Sequence, residues 1–461
     1  MNESVAVKNP LGTEPVGKLI VRYAVPSIIS TVVNSLYNMV DQVFIGQGVG
    51  YLGNAATNVV FPLMTIVMAL AQMLGDGAAA YMSLNLGKKK EEAAARGAAN
   101  AMAASVFIGI ILAILFEIFM EPLCKLFGAT ENSLPYAMEY GRIVSLGYIF
   151  SCIATSYGGM IRADGRPKTS MVGLLVGCIT NIILDPIFIF VFGWGVKGAA
   201  FATVIGQFLN AVIYIHAMTR CKTIELKKEY LKPSGKVLPR VCALGVSSLL
   251  TQLAGVVVML VMNNALVKYG ALSRYGADIP LAAFGIVTKV NQLATCVLIG
   301  LAVGSQPITG YNYGSGQFDR VKKVYRYTMT FGIVFMCVAW CVFQLFPSQI
   351  ISIFGKESDL YMEFAVKCLR LNTIACPLIA VSAITGIFFQ SIGKPVQSTI
   401  LSLLRQILVF VPAVLIFSAI WGINGLLWAP ATSDIISAVI AATVIAVYWK
   451  KIFAKGGAKH E

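Results

Sequence analysis

The sequence predicts an all-α membrane protein of twelve transmembrane helices in two six-helix lobes. Three observations predict it: a succession of long apolar runs, an alternation of basic charge between successive loops, and an internal repeat of six spans. Of 461 residues, 57% are hydrophobic and 12% charged, whereas a soluble domain carries roughly 25% charged residues. The runs reach the ~18 residues with which a helix crosses a ~30 Å hydrocarbon layer. Backbone in lipid must satisfy its own hydrogen bonds, which leaves helices or a closed barrel. Continuous runs favour helices, because barrel strands give short alternating segments. Residues 1–18 lack an apolar core, and the first apolar stretch, from Leu19, is long enough to span, so no cleaved signal peptide is expected.

The spans read as 17–45, 55–83, 95–118, 136–160, 168–191, 197–219, 239–267, 280–305, 323–345, 361–389, 397–418 and 425–449. Most of the 36 Lys and Arg residues fall on one side of this arrangement. They include Lys8, Lys18 and Arg22; Lys88, Lys89, Lys90 and Arg96; Arg162, Arg166 and Lys168; seven residues between Arg220 and Arg240; Arg320 to Arg326; Lys394; and Lys450 to Lys459. Glu117, Glu121 and Glu131 lie on the other side. Basic loops stay in the cytoplasm, so both termini are expected there, in the inner membrane of a bacterium. The net charge of +15 is thereby topological and implies no nucleic-acid partner.

The chain also repeats itself. Gly75 and Gly87 match Gly304 and Gly316, Gly165-Arg166-Pro167 matches Gly393-Lys394-Pro395, and Gly195 to Gly198 matches Gly422 to Gly425, at offsets of 229, 228 and 227. An even number of spans per repeat puts both halves in the membrane the same way, with a substrate cavity between them, as in secondary transporters built from parallel repeats. The domains expected are a lobe at 1–219, a linker at 220–238 and a lobe at 239–461.

An ionisable group deep in a membrane helix is costly and marks a functional site by default. Few residues pass that filter: Asp41, Asp76, Asp185, Lys289, Arg405 and Asp434. Asn181 and Asp185 are four apart and share a helix face. Pro186 withholds a donor and frees the carbonyl of Ile182. Hard oxygen ligands of this kind suit an alkali cation, and a carboxylate in a poorly hydrated cavity can bind a proton instead. Asp41 could close the site from span 1 and Thr203 could add a hydroxyl. The competing reading is structural: a buried Asp paired locally, with Asn181 in a helix–helix hydrogen bond. Asp76 reads as a capping or snorkelling carboxylate and Arg405 as structural. Lys289 and Asp434 are candidates for the cavity wall, as are Tyr37 and Met68 among the aromatic and sulfur side chains suited to apolar cations. Pro26 should kink span 1 and make it a candidate moving part; Pro62, Pro307 and Pro377 should kink their helices too.

Other chemistries find no support. The ten cysteines, Cys152, Cys178, Cys337 and Cys376 among them, sit mostly in apolar runs without a CxxC pair and read as small buried hydrophobes. The only histidines are His216 and His460, too few for a His-rich metal site. There is no P-loop, GxSxG or HExxH motif, so no enzyme activity and no cofactor are expected.

The run from Pro26 through Asn34 and Tyr37 to Asp41, followed by Phe44-Ile45-Gly46, resembles the span 1 signature of the MATE (multidrug and toxic compound extrusion) family. So do Gly87, Ala163-Asp164-Gly165-Arg166-Pro167, Asn181 to Pro186, and Gly198 to Thr203. The likeness runs over about 17–449 and is similar in wording to the MepA-like branch. The resemblance implies a V-shaped cavity between two lobes and antiport by a monomer, with Na⁺ or H⁺ entering as an organic, often cationic, compound leaves. It implies a cation site at Asp41, Asn181, Asp185 and Thr203, linked to rearrangement of span 1 at Pro26. Other members carry acidic residues on spans 7 and 10. Here span 7 offers Gln252 and Asn263, and span 10 only Glu363 at its edge, which throws the weight of coupling onto the first lobe. A flippase for lipid-linked precursors and an exporter of one physiological metabolite are the alternatives.

Overall fold

The computed structural model describes residues 9–276, 278–353 and 358–456; Lys8, Lys459 and His460 lie outside them, as do the side chains of Lys451 and Lys455. Among the described residues the chain forms helices and no strands. Among the described residues ten helices are each long and apolar enough to cross a membrane, and two further pairs, each bent at a short break, bring the candidate spans to twelve when each pair counts as one. In chain order they are α1 (Val16–Val49), α2 (Tyr51–Gly87), α3 (Glu91–Leu126), α4a (Leu134–Leu146) with α4b (Tyr148–Ala163), α5 (Pro167–Pro186) and α6 (Gly195–Thr219). The second set is α7 (Leu238–Ala271), α8 (Asp278–Gly314), α9 (Phe318–Leu345), α10a (Asp359–Asn372) with α10b (Cys376–Ser391), α11 (Pro395–Leu403 continuing as Phe410–Leu426) and α12 (Ala429–Gly456).

The repeat read from glycine and proline recurs in the backbone. Gly165 and Gly393 both take positive φ, 85° and 78°, and each is followed two residues later by a proline that opens the next helix. Proline fits there because the first helical N–H has no partner to lose. The bends also match: α4a and α4b meet at 54°, α10a and α10b at 46°. Pro377 lies in the first turn of α10b, at the bend. The expected boundaries hold to within a few residues for most spans. At the end of α11, Gly422 (φ 60°) turns the chain but the helix resumes to Leu426, so the last span starts at Ala429 and not at 425. α8 also runs on to Gly314, nine residues past the hydropathic stretch, with Asn312 bonded to the Leu11 carbonyl at 2.9 Å.

The chain divides into two compact units. The first holds Met1–Leu249, Val303–Val321 and Gln390–Pro395; the second holds Leu250–Ala302, Lys322–Phe389 and Val396–Glu461. Lipid tails are as apolar as leucine, so helices in a bilayer associate through close packing and internal hydrogen bonds. The first unit shows both. A Cβ on Gly87 would lie 2.1 Å from the Tyr311 carbonyl, and one on Gly314 would lie 2.2 Å from that of Leu84, so the ends of α2 and α8 touch backbone to backbone. The residues between α6 and α7 are tied down: Asn100 donates to the carbonyls of Tyr230 (2.8 Å) and Lys232 (3.3 Å) and accepts from the Ser234 amide (2.6 Å). The buried Asp164 carboxylate accepts from the amides of Lys222 and Thr223. Burial there pushes the Cys221 thiol up to about 12. The second unit has its own core, with Phe364, Cys368, Leu369, Ala380 and Val414 fully buried. Outward, Phe107, Ile114 and Ile118 of α3 and Val334 and Val338 of α9 are exposed apolar side chains, as a lipid-facing surface requires.

Among the cysteines read as buried hydrophobes, Cys152, Cys178 and Cys376 are buried and Cys337 is half-buried; all are free thiols.

Candidate functional site: a buried carboxylate pair

Three helices of the first unit meet at one polar point. α5 carries Asn181 and Asp185 on a single face, one turn apart, and both are buried. α6 brings Thr203 against them because two glycines let the helices approach: a Cβ on Gly206 would sit 2.6 Å from the Gly177 carbonyl, and one on Gly177 would sit 2.9 Å from that of Gly206. Gly177 is one turn before Asn181 and Gly206 one turn after Thr203, so this close approach sets the side chains within reach. The Asn181 amide donates to the Asp185 carboxylate and to the Thr203 hydroxyl, each at 3.3 Å. α1 supplies Asp41, whose carboxyl group is within hydrogen-bonding reach of Asp185 and of Gln42.

The chemistry of the set is one-sided. One oxygen each of Asp41, Asp185 and Asn181 is buried without a donor. Buried polar atoms normally find partners, and these three are all acceptors. A group of positive charge is what such a set accommodates: two carboxylates in contact repel unless a proton or a cation lies between them. The donors are hard oxygens, suited to Na⁺ and not to a soft transition metal. Among the described residues no group of three or more His, Cys, Asp or Glu side chains could hold a metal ion.

The surroundings add residues that sequence reasoning missed. Tyr140 of α4a is buried and, with Tyr37 of α1, lies close enough to interact electrostatically with both carboxylates. Its only sequence signal is an aromatic residue on an otherwise apolar face, which is shared by many core positions. After Pro186 the helix widens into a π-helical turn, Ile187–Val191, with the Phe192 amide reaching back to the Ile187 carbonyl. Pro26 is buried within α1, which continues through it without the bond that its nitrogen would have made to Arg22.

The remaining candidates lie elsewhere. Met68 is exposed on α2. Lys289 is exposed on α8, in the second unit. Asp434 is buried on α12 and paired with Arg405 at 2.8 Å, at a π-helical stretch of α11 (Leu404–Val409). Glu363, the one acidic residue read on span 10, is half-exposed and paired with Arg274 and Tyr275. Asp76 accepts from Ser248 at 2.8 Å within the first unit, so it is held by a named donor and is not simply a snorkelling group.

Comparison with known proteins follows the same outline. The MatE family model matches residues 26–187 and 246–415. The chain belongs to the MatE family. The match spans α1 to α5 and most of the second set of helices, so it includes Asp41, Asn181 and Asp185. Among curated relatives, the multidrug export protein MepA of Staphylococcus aureus (strain MSSA476) is 25% identical over 433 residues, 94% of each chain. Among solved MatE-fold structures, a MATE in complex with MaL6 superposes with a TM-score of 0.90 at 23% identity, covering 96% of this chain and 99% of that one. The outward-facing conformation of a multidrug resistance MATE family transporter of the MOP superfamily also gives 0.90, covering 96% and 98%. These likenesses show the fold.

Proposed function

We propose that this MatE-family protein is a secondary active antiporter that exports organic, often cationic, compounds in exchange for Na⁺ or H⁺. The observation that carries the reading is the buried Asn181–Asp185–Thr203 cluster, with Asp41 within hydrogen-bonding reach of Asp185 and unpartnered acceptor oxygens on Asp41, Asp185 and Asn181. The relation to a multidrug export protein supports the direction and class of cargo. The protein works as a monomer in the bacterial inner membrane, with its basic side and both termini in the cytoplasm. Residues 1–219 and 239–461 act as two six-helix lobes.

The exchange follows from electrostatics. With a proton or Na⁺ shared by Asp41, Asp185, Asn181 and Thr203, the pair is compensated and α1 packs against α5. Loss of that ion leaves two anions in contact and disfavours the packing. A ligand shifts a two-state equilibrium only by its differential affinity for the states, and a pair brought together in one state and parted in the other supplies such a difference. Pro26 gives α1 a position at which to bend. Tyr37, one turn from Asp41 on α1, links the carboxylates to the cargo, with Met68 of α2 as a second contact residue of the same unit. Efflux of an ethidium-like cation from inverted vesicles under imposed Na⁺ or pH gradients tests the reading. Asp41→Asn and Asp185→Asn should each insert normally and lose gradient-driven transport at least ten-fold; full transport by both variants rejects it.

A further inference from the structure

The basic side of the first unit holds a cavity of about 980 Å³. It is lined by Gly17, Lys18 and Arg22 from the start of α1, Arg166 and Lys168 from the start of α5, and Lys222 from the segment after α6. Two of these charges are already offset: Arg22 lies 3.3 Å from Glu14, and Arg166 lies 2.6 Å from the buried Asp164. The other three are not. Among the described residues no carboxylate comes within ion-pair distance of Lys18, Lys168 or Lys222, and all three side chains are exposed. α5, twenty residues long, opens at the same point, and the positive end of its dipole adds to the field. Three uncompensated ammonium groups converging on one hollow are arranged for an anion.

The flank of the cavity is apolar. Val21 lines it and is 62% exposed. Farther along α1 toward the membrane centre come Val25 and Ile29, and along α5 Val172, all exposed. A small soluble anion gains nothing from such a track, whereas a molecule with a charged head and hydrocarbon tails uses both parts. Basic pockets between transmembrane helices on the cytoplasmic side bind anionic lipid headgroups for this reason.

We propose that this cavity is a binding site for an anionic phospholipid, with the headgroup phosphate held by Lys18, Lys168 and Lys222 and the acyl chains lying along the exposed valines and isoleucine of α1 and α5. Asp164 is the positioning residue: its carboxylate holds Arg166 and the Lys222 and Thr223 amides, which fixes the far wall of the cavity. The site is separate from the carboxylate pair and requires only that the chain sits in a bilayer.

The test uses the detergent-purified full chain titrated with palmitoyl-oleoyl phosphatidylglycerol and, in parallel, with the phosphatidylcholine of the same chains, read by native mass spectrometry. Phosphatidylglycerol should be retained in preference. Each cation near a surface anion contributes about 1 kcal/mol, roughly 5-fold in affinity, so Lys18→Gln/Lys168→Gln/Lys222→Gln should weaken retention by about a hundred-fold. A control triple at the α2–α3 turn, Lys88→Gln/Lys89→Gln/Lys90→Gln, should leave it unchanged. Both triples are to be monodisperse with unaltered helical content. Millimolar inorganic phosphate should not displace the lipid. Equal retention of the two lipids, equal loss in both triples, or displacement by phosphate alone would overturn the proposal.

Discussion

At the scale of single residues, the site is distinguished by what its polar atoms lack and the second unit by what its charges have. Asp434 on α12 is buried but compensated: Arg405 meets it at 2.8 Å. Removing one partner of a buried pair leaves an uncompensated charge and costs about 3 kcal/mol or more, while replacing both is often neutral. Asp434→Asn should therefore lower the thermal midpoint of the purified protein by several degrees, and Arg405→Met/Asp434→Leu should recover most of it. If the single and double variants melt alike, the pair contributes nothing. At the site, Asn181 is the only described donor to both Asp185 and Thr203. Asn181→Ala should weaken ion affinity roughly ten-fold, the value of about one hydrogen bond to a charged group, as read from the gradient needed for half-maximal efflux. Asp41 and Asp185 were both legible as unusual from their position in apolar runs. The family resemblance put them in one site; spacing alone did not, since the two positions are 144 residues apart and periodicity says nothing of which helices lie side by side.

At the scale of elements, hydropathy and the punctuation by glycine, proline and basic residues were enough to count the spans and to find the repeat. Bends were less legible. Pro377 pointed to the break in α10, but the break in α4 falls at Gly147, a residue type equally common in straight membrane helices. The π-helical turn Ile187–Val191 begins directly after Pro186, a local irregularity of the kind that occurs frequently at functional sites. The α5–α6 contact has a sharper consequence. With a Gly206 Cβ only 2.6 Å from the Gly177 carbonyl, Gly206→Ala must push the helices apart, at about 1–3 kcal/mol for an overpacked contact. It should reduce ion coupling along with stability, whereas Gly255→Ala, where a Cβ meets nothing within 4 Å, should change neither. Pro26→Ala, which restores a backbone donor to α1, should slow turnover while leaving ion binding within about two-fold; unaltered turnover would remove α1 from the moving parts.

For the whole molecule, the proposed exchange of charge takes place at a single buried point of a membrane-embedded fold. Basic residues gather toward one set of helix ends and loops, while a few acids, Asp41, Asp76, Asp185 and Asp434, lie buried within the spans. The most direct test of the central claim is ion stoichiometry on the purified protein. Substrate is added to the detergent-solubilised chain, and released protons are followed with a pH dye in weak buffer, with displaced ²²Na⁺ counted in parallel. The unaltered protein should release about one ion per chain, and Asp41→Asn/Asp185→Asn none. Substrate binding that releases no ion from the unaltered protein, or that releases the same amount from the double variant, would contradict it.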